Sequence, residues 1–282
     1  MMNRMMKRCL IKTTYWALLG VTFMSALIAI GPFIWAGILS THDRSTIFGK
    51  GIPLYIGEHF VSNYNKLMEL LPFWQNMGNS FYIATLGTTI SLLFCSMGGY
   101  SFAVFKFKAK KPLFAMMMAT MMIPPVVGLI PFYVIIKFLG LLDSHVAVWL
   151  PFTATPLGIF MVKQYVESSI PTNLLEAARL DGAGEFRIYW SVVLPLLKPC
   201  LATLGIIQFV FFWNNFLTPL IALSSQENYV VTLALRSIQN NPNAPWGSIM
   251  LGSTIAVLPM FVGYVFSSKQ MISGLTSGAI KS

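Results

Sequence analysis

The chain has 282 residues, of which 56% are hydrophobic and only 10% are charged, and its mean hydropathy is +0.69. Soluble domains carry about 25% charged residues, so this composition excludes a water-soluble globular protein and indicates a membrane protein. The net charge of +10 does not indicate nucleic-acid binding, because the basic residues flank apolar segments and do not form one stripe.

Six runs of the sequence lack Asp, Glu, Lys, Arg and His. They cover residues 13–41, 70–105, 112–136, 146–162, 199–226 and 237–268. A helix needs about 20 apolar residues to cross a bilayer, so each run can hold one span. We therefore predict an all-α protein with six transmembrane helices. Proline residues in the third and fourth runs, Pro124, Pro125, Pro131, Pro151 and Pro156, predict kinks there.

Basic residues set the expected orientation. If the amino terminus is cytoplasmic, the inside segments hold fourteen Lys and Arg residues and the outside segments hold five. The positive-inside rule then predicts that both termini are cytoplasmic. The basic start MMNRMMKRCLIK precedes an apolar run that is too long for a signal peptide, so we expect an uncleaved first span.

Two longer segments lie outside in this topology. In residues 40–69, the stretch HFVSNYNKLMEL predicts a short amphipathic helix on the membrane surface. Residues 224–247, SSQENYVVTLALRSIQNNPNAPWG, join the last two spans and are too polar to lie in lipid throughout.

Several common site signatures are missing from the sequence. There is no GxxxxGK[ST] loop and no HExxH motif, and His42, His59 and His145 are scattered, so we expect no nucleotide site, no metal and no cofactor. No charged residue falls at the centre of a predicted span, whereas ion-coupled transporters usually place ionisable groups there. Any uphill transport is therefore expected to draw its energy from another chain.

A polar segment follows the fourth span on the predicted cytoplasmic side. It reads EAARLDGAGEFRIYWSVVLP and covers residues 176–195. Asn173 and Glu176 predict a capping box, and Gly182 is expected to end the first helix in the left-handed conformation. A second helix over Glu185–Val193 is expected to stop at Pro195. From these residues alone, an ordinary polar loop remains the alternative.

The same segment resembles the EAA signature of ABC-importer permeases. That pattern is EAA, three residues, Gly, nine residues, an aliphatic residue, one residue and LP. The matching residues here are Glu176, Ala177, Ala178, Gly182, Val192, Leu194 and Pro195.

Other stretches are similar to the MalG-type permease of carbohydrate ABC importers. They are TMMIPPVVGLIPFYVIIKFLGLLDS (120–144), GIFMVKQY (158–165), FFWNNF (211–216) and GLTSGAIKS (274–282). Asn215 departs from the family, which more often has an acidic residue there. Because the similarity starts near Asn79, we divide the chain into two regions. Residues 1–77 hold the first span and the external loop, and residues 78–282 hold a five-helix permease core with a coupling loop over 168–195.

The resemblance implies that this polar segment forms a helical hairpin, which couples the permease to a cytoplasmic ATPase. The residues expected to make this contact are Glu176, Ala177, Ala178, Asp181, Gly182, Ala183, Leu194 and Pro195. The implied partners are a second related permease, two ATPase subunits and an extracytoplasmic solute-binding protein. Asn241 and Asn243 of the last outside loop are expected to contact the binding protein, and the GLTSGAIKS tail is expected to extend between the ATPases.

The implied function is that of a permease subunit in a bacterial inner membrane, which transports a sugar or sugar derivative and is not itself an enzyme. Sugar sites combine aromatic faces with amide hydrogen bonds, so Trp213, Asn214 and Asn215 are candidate pathway residues; packing against a neighbouring helix is the alternative. A permease for a non-sugar solute, and a secondary transporter or channel without an ATPase, are alternative functions. The EAA pattern and the lack of charge within the spans argue against the second of these.

Overall fold

The computed structural model describes the backbone of residues 2–49 and 51–279 and the side chains of residues 14–49 and 51–263. Every regular element in these ranges is helical, which confirms the predicted all-α class. Two compact units are formed. The first unit comprises Met1–Leu70 and Ile238–Val257, and the second comprises Leu71–Ser237 and Leu258–Ser282.

Fifteen helices are numbered in chain order over the described residues. They are α1 (Met2–Leu39), α2 (Arg44–Ile47), α3 (Phe60–Leu70), α4 (Phe73–Val104), α5 (Lys110–Ala119), α6 (Leu129–Phe138), α7 (His145–Trp149), α8 (Pro156–Ser169), α9 (Thr172–Leu180), α10 (Glu185–Ile188), α11 (Leu194–Leu196), α12 (Lys198–Asn214), α13 (Leu217–Ala222), α14 (Val231–Gln239) and α15 (Trp246–Ala279). Short 3-10 turns cover Thr120–Met122, Pro125–Gly128, Leu150–Phe152 and Gln226–Asn228, and a π-helical turn covers Tyr189–Val193.

Four described helical segments are long and apolar enough to cross a membrane. They are Thr14–Leu39, Phe73–Val104, His145–Ser169 and Trp246–Gly263. Two further candidate spans are broken, with a bend of 101° between Lys110–Met122 and Pro125–Phe138 and a bend of 77° between Glu185–Leu196 and Lys198–Asn214. The predicted number of six is reached when each bent pair is taken as one span.

The proline residues explain the break in the third span. Pro124 has an extended ψ of 129°, because a residue that precedes a proline is driven out of the helical region. Pro125 then starts a 3-10 turn, and Pro131 falls in the first turn of α6, where a missing N–H does not remove a helical hydrogen bond. The predicted kink therefore lies at Pro124 and not at Pro131.

The first unit contains the amphipathic helix that the sequence predicts within residues 40–69. This helix, α3, buries Leu67 and exposes Phe60 and Val61. The Asn63 side chain holds it against the end of α1, since Nδ2 donates to the backbone oxygens of Ser40 at 2.8 Å and His42 at 2.9 Å. The expectation that α3 lies on a membrane surface stays a prediction.

In the second unit, α4 makes its closest approaches to α8 and α12 through glycine residues. A Cβ atom on Gly99 would lie 2.5 Å from Val162 Cβ and 2.9 Å from the backbone nitrogen of Lys163. A Cβ atom on Gly87 would lie 2.7 Å from the Phe212 ring. Small residues allow membrane helices to pack closely, so these glycine residues determine the spacing of the three helices.

Buried side-chain hydrogen bonds add to this packing. Gln208 of α12, which is only 4% exposed, donates from Nε2 to Thr155 Oγ1 at 2.7 Å. Thr155 Oγ1 also accepts from the backbone N–H of Gly158 at 3.2 Å and so caps α8. Interhelical bonds of this kind contribute about 0.6 kcal/mol each on average in a membrane.

The replacement of Gly99 by leucine tests the close helix packing. Because the nearest atoms include the backbone of α8, we expect Gly99→Leu to force α4 and α8 apart and to destabilise the protein by about 1–3 kcal/mol. Gly78→Leu is the matched control, since Gly78 is exposed on the same helix with no atom within 4 Å of a Cβ. The thermal unfolding midpoint in detergent should fall for Gly99→Leu and stay near the parent value for Gly78→Leu; equal midpoints for the two variants would contradict the packing argument.

Candidate functional site

The EAA segment folds as two short helices joined by a tight turn, and residues 172–188 are here called the hairpin. Gly182 ends α9 with a φ of +80°, in the left-handed conformation predicted for it. Its N–H bonds to the Arg179 oxygen at 3.0 Å, and the Ala183 N–H bonds to the Ala178 oxygen at 3.0 Å. This pair of bonds is a Schellman motif, which satisfies carbonyl groups that a helix end otherwise leaves unpaired.

The predicted capping box at the start of the hairpin is wrong. Pro171 occupies the cap position, no side chain bonds there, and Asn173 lies inside the first turn of α9. The proline fixes its own φ at −63° and starts the helix without a polar cap.

The predicted stop at Pro195 is also wrong. Pro195 lies inside the continuous helical run Glu185–Leu196, directly after the π-helical turn Tyr189–Val193, and the run continues to Leu196 before the bend at Leu197.

Apolar side chains anchor the hairpin in the core of the second unit. Leu175 is 3% exposed, and Ile188 and Val193 are fully buried, in a cluster that includes Val166 and Leu197. The first turn, the second helix and the π-turn therefore all contribute to one core. A displacement of α9 cannot occur without disturbing this packing.

Most of the predicted coupling residues lie on the surface of the protein. Ala178, Ala183 and Leu194 are half-buried, and the exposed ones are Glu176, Ala177, Asp181, Gly182 and Pro195. All of them except Leu194 and Pro195 belong to the hairpin, and the exposed ones are accessible to a partner.

Two large apolar side chains beside the turn were not predicted. Leu180 is 89% exposed and Phe186 is 69% exposed. They flank the stretch DGAGE (181–185), and this pattern is the signal in the sequence that could have identified them.

An ion pair closes the hairpin. Arg179 Nε lies 2.7 Å from Glu185 Oε1, and Arg179 Nη2 lies 3.4 Å from Glu185 Oε2. The hydrogen bond to this carboxylate raises the pKa of the Arg179 guanidinium. Tyr100 of α4 donates to Glu185 Oε2 at 3.0 Å.

A cavity of about 690 Å³ opens at the helix breaks of the second unit. Its lining residues are Pro125, Gly128, Leu129, Phe132, Pro151, Phe152, Val210, Phe211, Asn214, Asn215, Phe216, Leu217 and Thr218. Four of them are phenylalanine, two are amides, and none of these described lining residues is charged. This combination of aromatic faces and amide groups can bind an uncharged hydroxylated solute.

The three predicted pathway residues occupy different environments. Asn214 is exposed and lines the cavity. Asn215 also lines it, with Oδ1 accepting from the Thr218 N–H at 3.3 Å, while its buried Nδ2 has no hydrogen-bond partner among the described residues. Trp213 is only 3% exposed and stacks on Phe209, with 5.8 Å between the ring centroids, so it packs in the core and does not line the cavity.

The segment of residues 224–231 in the second unit is held to α4 by polar side chains. Asn76 Nδ2 donates to the Gln226 oxygen at 2.7 Å, and Asn79 Nδ2 donates to the Glu227 oxygen at 2.6 Å. Ser80 Oγ accepts from the Val231 N–H at 2.8 Å.

Asp143 fixes the same segment from the other side. It adopts a positive φ of 58°, and Oδ1 accepts from the Ser224 and Ser225 N–H groups at 2.8 and 3.0 Å. Burial raises the pKa of Asp143, but hydrogen bonds from Ser225, Ser224 and Asn228 outweigh this effect and lower the pKa to about 2.

The two predicted binding-protein contacts lie in the first unit. Asn241 and Asn243 are both exposed. Arg44 Nη1 donates to Asn243 Oδ1 at 3.1 Å, so the arginine holds one of the two amides in place.

Residues 70–269 match the family described as binding-protein-dependent transport system inner membrane component. The chain belongs to this family. The predicted permease class is therefore confirmed, and the chain is a membrane transport subunit and not an enzyme.

Curated members of the family resemble the chain over most of its length. It is 32% identical over 265 residues to the lactose transport system permease protein LacG of Rhizobium radiobacter, which covers 93% of this chain and 94% of that protein. It is 36% identical over 203 residues to the arabinooligosaccharides transport system permease protein AraQ of Bacillus subtilis, with 72% of each covered. It is 29% identical over 260 residues to the sn-glycerol-3-phosphate transport system permease protein UgpE of Yersinia pestis, with 89% and 92% covered.

A solved structure shares the fold. One chain from the crystal structure of a bacterial ABC transporter involved in the import of the acidic polysaccharide alginate superimposes with a TM-score of 0.76 at 24% identity, over 90% of this chain and 95% of that one. This match supports the fold of the permease.

Proposed function

We propose that the chain is one of two permease subunits of an ATP-driven sugar importer and that the hairpin couples it to a cytoplasmic ATPase. The observation that carries this proposal is the structure of the EAA segment. It exposes most of its signature residues, ends its first helix with a left-handed glycine and is anchored in the core of the second unit. The relatives named for lactose and arabinooligosaccharide transport support a sugar as the solute.

The uncharged cavity favours a neutral sugar over the phosphate ester named for the UgpE relative. An anion that enters an apolar site without a cationic partner loses hydration that the site does not replace, whereas a hydroxyl group can bond to an amide. Asn214 and Asn215 are the amides available in this chain. The cavity is therefore proposed as this subunit's part of the solute pathway.

The proposed coupling is mechanical. Closure of the ATPases would move the exposed residues near Gly182, and the buried side chains of Leu175 and Ile188 would pass this displacement to the helices that contain the cavity. Packed cores respond to such a displacement by shifting between discrete arrangements.

The proposed orientation places both termini and the hairpin in the cytoplasm and residues 224–247 outside. It is supported by the distribution of the basic residues. The exposed amides Asn241 and Asn243 are then available to an extracytoplasmic solute-binding protein.

Gly182→Arg tests the coupling role. The substitution forces a side chain into a left-handed position and adds bulk to the exposed turn, so we expect a complex that assembles but loses solute-stimulated ATP hydrolysis and uptake. Gly140→Arg is the matched control, since Gly140 also has a positive φ, of 67°, with open space around it, but follows α6. Phosphate release and uptake are measured together in lipid vesicles with the binding protein. Wild-type values of both for Gly182→Arg would refute the proposed coupling.

Asn214→Leu tests the pathway. The loss of one neutral hydrogen bond of about 1 kcal/mol predicts that uptake at low solute concentration falls about fivefold, while assembly is unchanged. Asn65→Leu removes an exposed amide that does not line the cavity and should transport normally. If the two variants transported equally well, Asn214 would not lie on the pathway.

Single cysteine residues test the orientation and the external contact, in a chain from which the native cysteines are removed. A cysteine at Asn243 should react with an impermeant maleimide from outside intact cells, and a cysteine at Asp181 should not. The cysteine at Asn243 should also crosslink to the solute-binding protein. Labelling of position 181 from outside would show that the orientation is opposite to the proposed one. Equal crosslinking to an unrelated periplasmic protein would exclude a specific contact with the binding protein.

A further inference from the structure

One carboxylate joins the hairpin to a membrane helix. Glu185, the first residue of α10, bonds through Oε1 and Oε2 to Arg179 in the last turn of α9, and its Oε2 also accepts from Tyr100 near the end of α4. The three side chains thus connect α9, α10 and α4 over a few ångströms, although Tyr100 and Glu185 are 85 residues apart in sequence.

The tyrosine is held firmly at its end of this connection. Tyr100 is 4% exposed, and its ring lies 5.5 Å from the Phe105 ring and 5.7 Å from the Tyr189 ring between centroids. One turn earlier on α4, Ser96 Oγ lies 2.7 Å from Tyr189 Oη. The face of α4 that carries Ser96 and Tyr100 therefore meets the second half of the EAA segment at two hydrogen bonds.

The carboxylate makes this connection directional. Hydrogen bonds to a charged acceptor are shorter and stronger than neutral ones, and an arginine that binds both oxygens of a carboxylate also fixes its orientation. Arg179 lies in the last turn of α9, next to the exposed Leu180 and the left-handed Gly182. A force on this turn therefore reaches Glu185 through the arginine and α4 through the tyrosine.

We propose that Tyr100, Glu185 and Arg179 are positioning residues that transmit the displacement of the hairpin to α4. This inference rests on the proposed coupling role of the hairpin. α4 is the recipient because it also packs, through Gly87, against Phe212 of α12, whose end lines the cavity. The three side chains thus link the turn at Gly182 to a helix that contacts the wall of the cavity.

A purely structural role makes a different prediction. An ion pair that only stabilised the fold would lower the unfolding temperature when broken, and transport and ATP hydrolysis would fall together as the folded fraction fell. A transmitting role predicts that the two activities separate, because ATP continues to be hydrolysed while less of the movement reaches α4.

Tyr100→Phe is the sharpest test, since it removes one hydroxyl group and keeps the buried ring. In the purified complex with its binding protein and ATPases in lipid vesicles, we expect the number of solute molecules transported per ATP hydrolysed to fall about fivefold, in line with the weaker couplings between protein sites. The unfolding midpoint should stay near the wild-type value.

Three further variants complete the design. Glu185→Gln keeps an acceptor for Tyr100 but removes the charge, so its ratio should lie between those of the wild type and Glu185→Ala. Glu167→Gln breaks the pair between Lys163 Nζ and Glu167 Oε2, which are 2.7 Å apart on α8, and should leave the ratio unchanged. If Tyr100→Phe does not assemble, the glutamate series decides the question in the same assay.

An unchanged ratio in Tyr100→Phe and Glu185→Ala would overturn the proposal. A ratio that fell only together with the unfolding midpoint would overturn it as well, in favour of a structural role. If Gly182→Arg uncouples the complex and these variants do not, the hairpin keeps its proposed role and only this route fails. If the Gly182→Arg complex transports and hydrolyses ATP normally, the proposed coupling role of the hairpin is refuted, and this inference is refuted with it.

Discussion

The close approach of α4 to α8 and α12 is the contact on which the rest of the second unit depends. Lipid offers no hydrophobic driving force between membrane helices, so their packing relies on short-range contacts that small residues permit. Gly99 lies against the backbone of α8, and Gly87 lies against the Phe212 ring. The bond from Gln208 to Thr155 joins α12 to the start of α8 and completes the contacts among the three helices.

The cavity and the hairpin lie near the ends of these packed helices, where the backbone departs from a regular helix. The cavity lies where α12 ends at Asn214 and where the third and fourth spans contain 3-10 turns. Irregular backbone at membrane depth is tolerated where it is buried in protein or lines a cavity. Pro125 and Pro151, which lie in these 3-10 turns, also line the cavity.

Some of this organisation could be predicted from sequence because it depends on local chemistry. Charge-free runs reflect the cost of charge in lipid, and Gly182 follows from the steric requirement of a helix end, so both predictions agree with the structure. The prolines predicted kinks in the third run, but the sequence could not show that the break forms at Pro124 and not at Pro131, or that its angle is 101°. The bond from Tyr100 to Glu185 could not be predicted, because it joins residues 85 positions apart, and Trp213 needed three-dimensional packing to be placed in the core.

The length of α4 gives it contacts at both ends of the second unit. Asn76 and Asn79 hold residues 224–231 near one end of α4, and Tyr100 bonds to the hairpin near the other end. At 1.5 Å per residue, Asn76 and Tyr100 are about 36 Å apart along the helix axis. The same uninterrupted helix therefore bonds to the hairpin near one end and to residues 224–231 near the other. The proposed displacement of the hairpin, on reaching Tyr100, would act on the helix that also holds these residues, and no second element is needed to connect the two contacts.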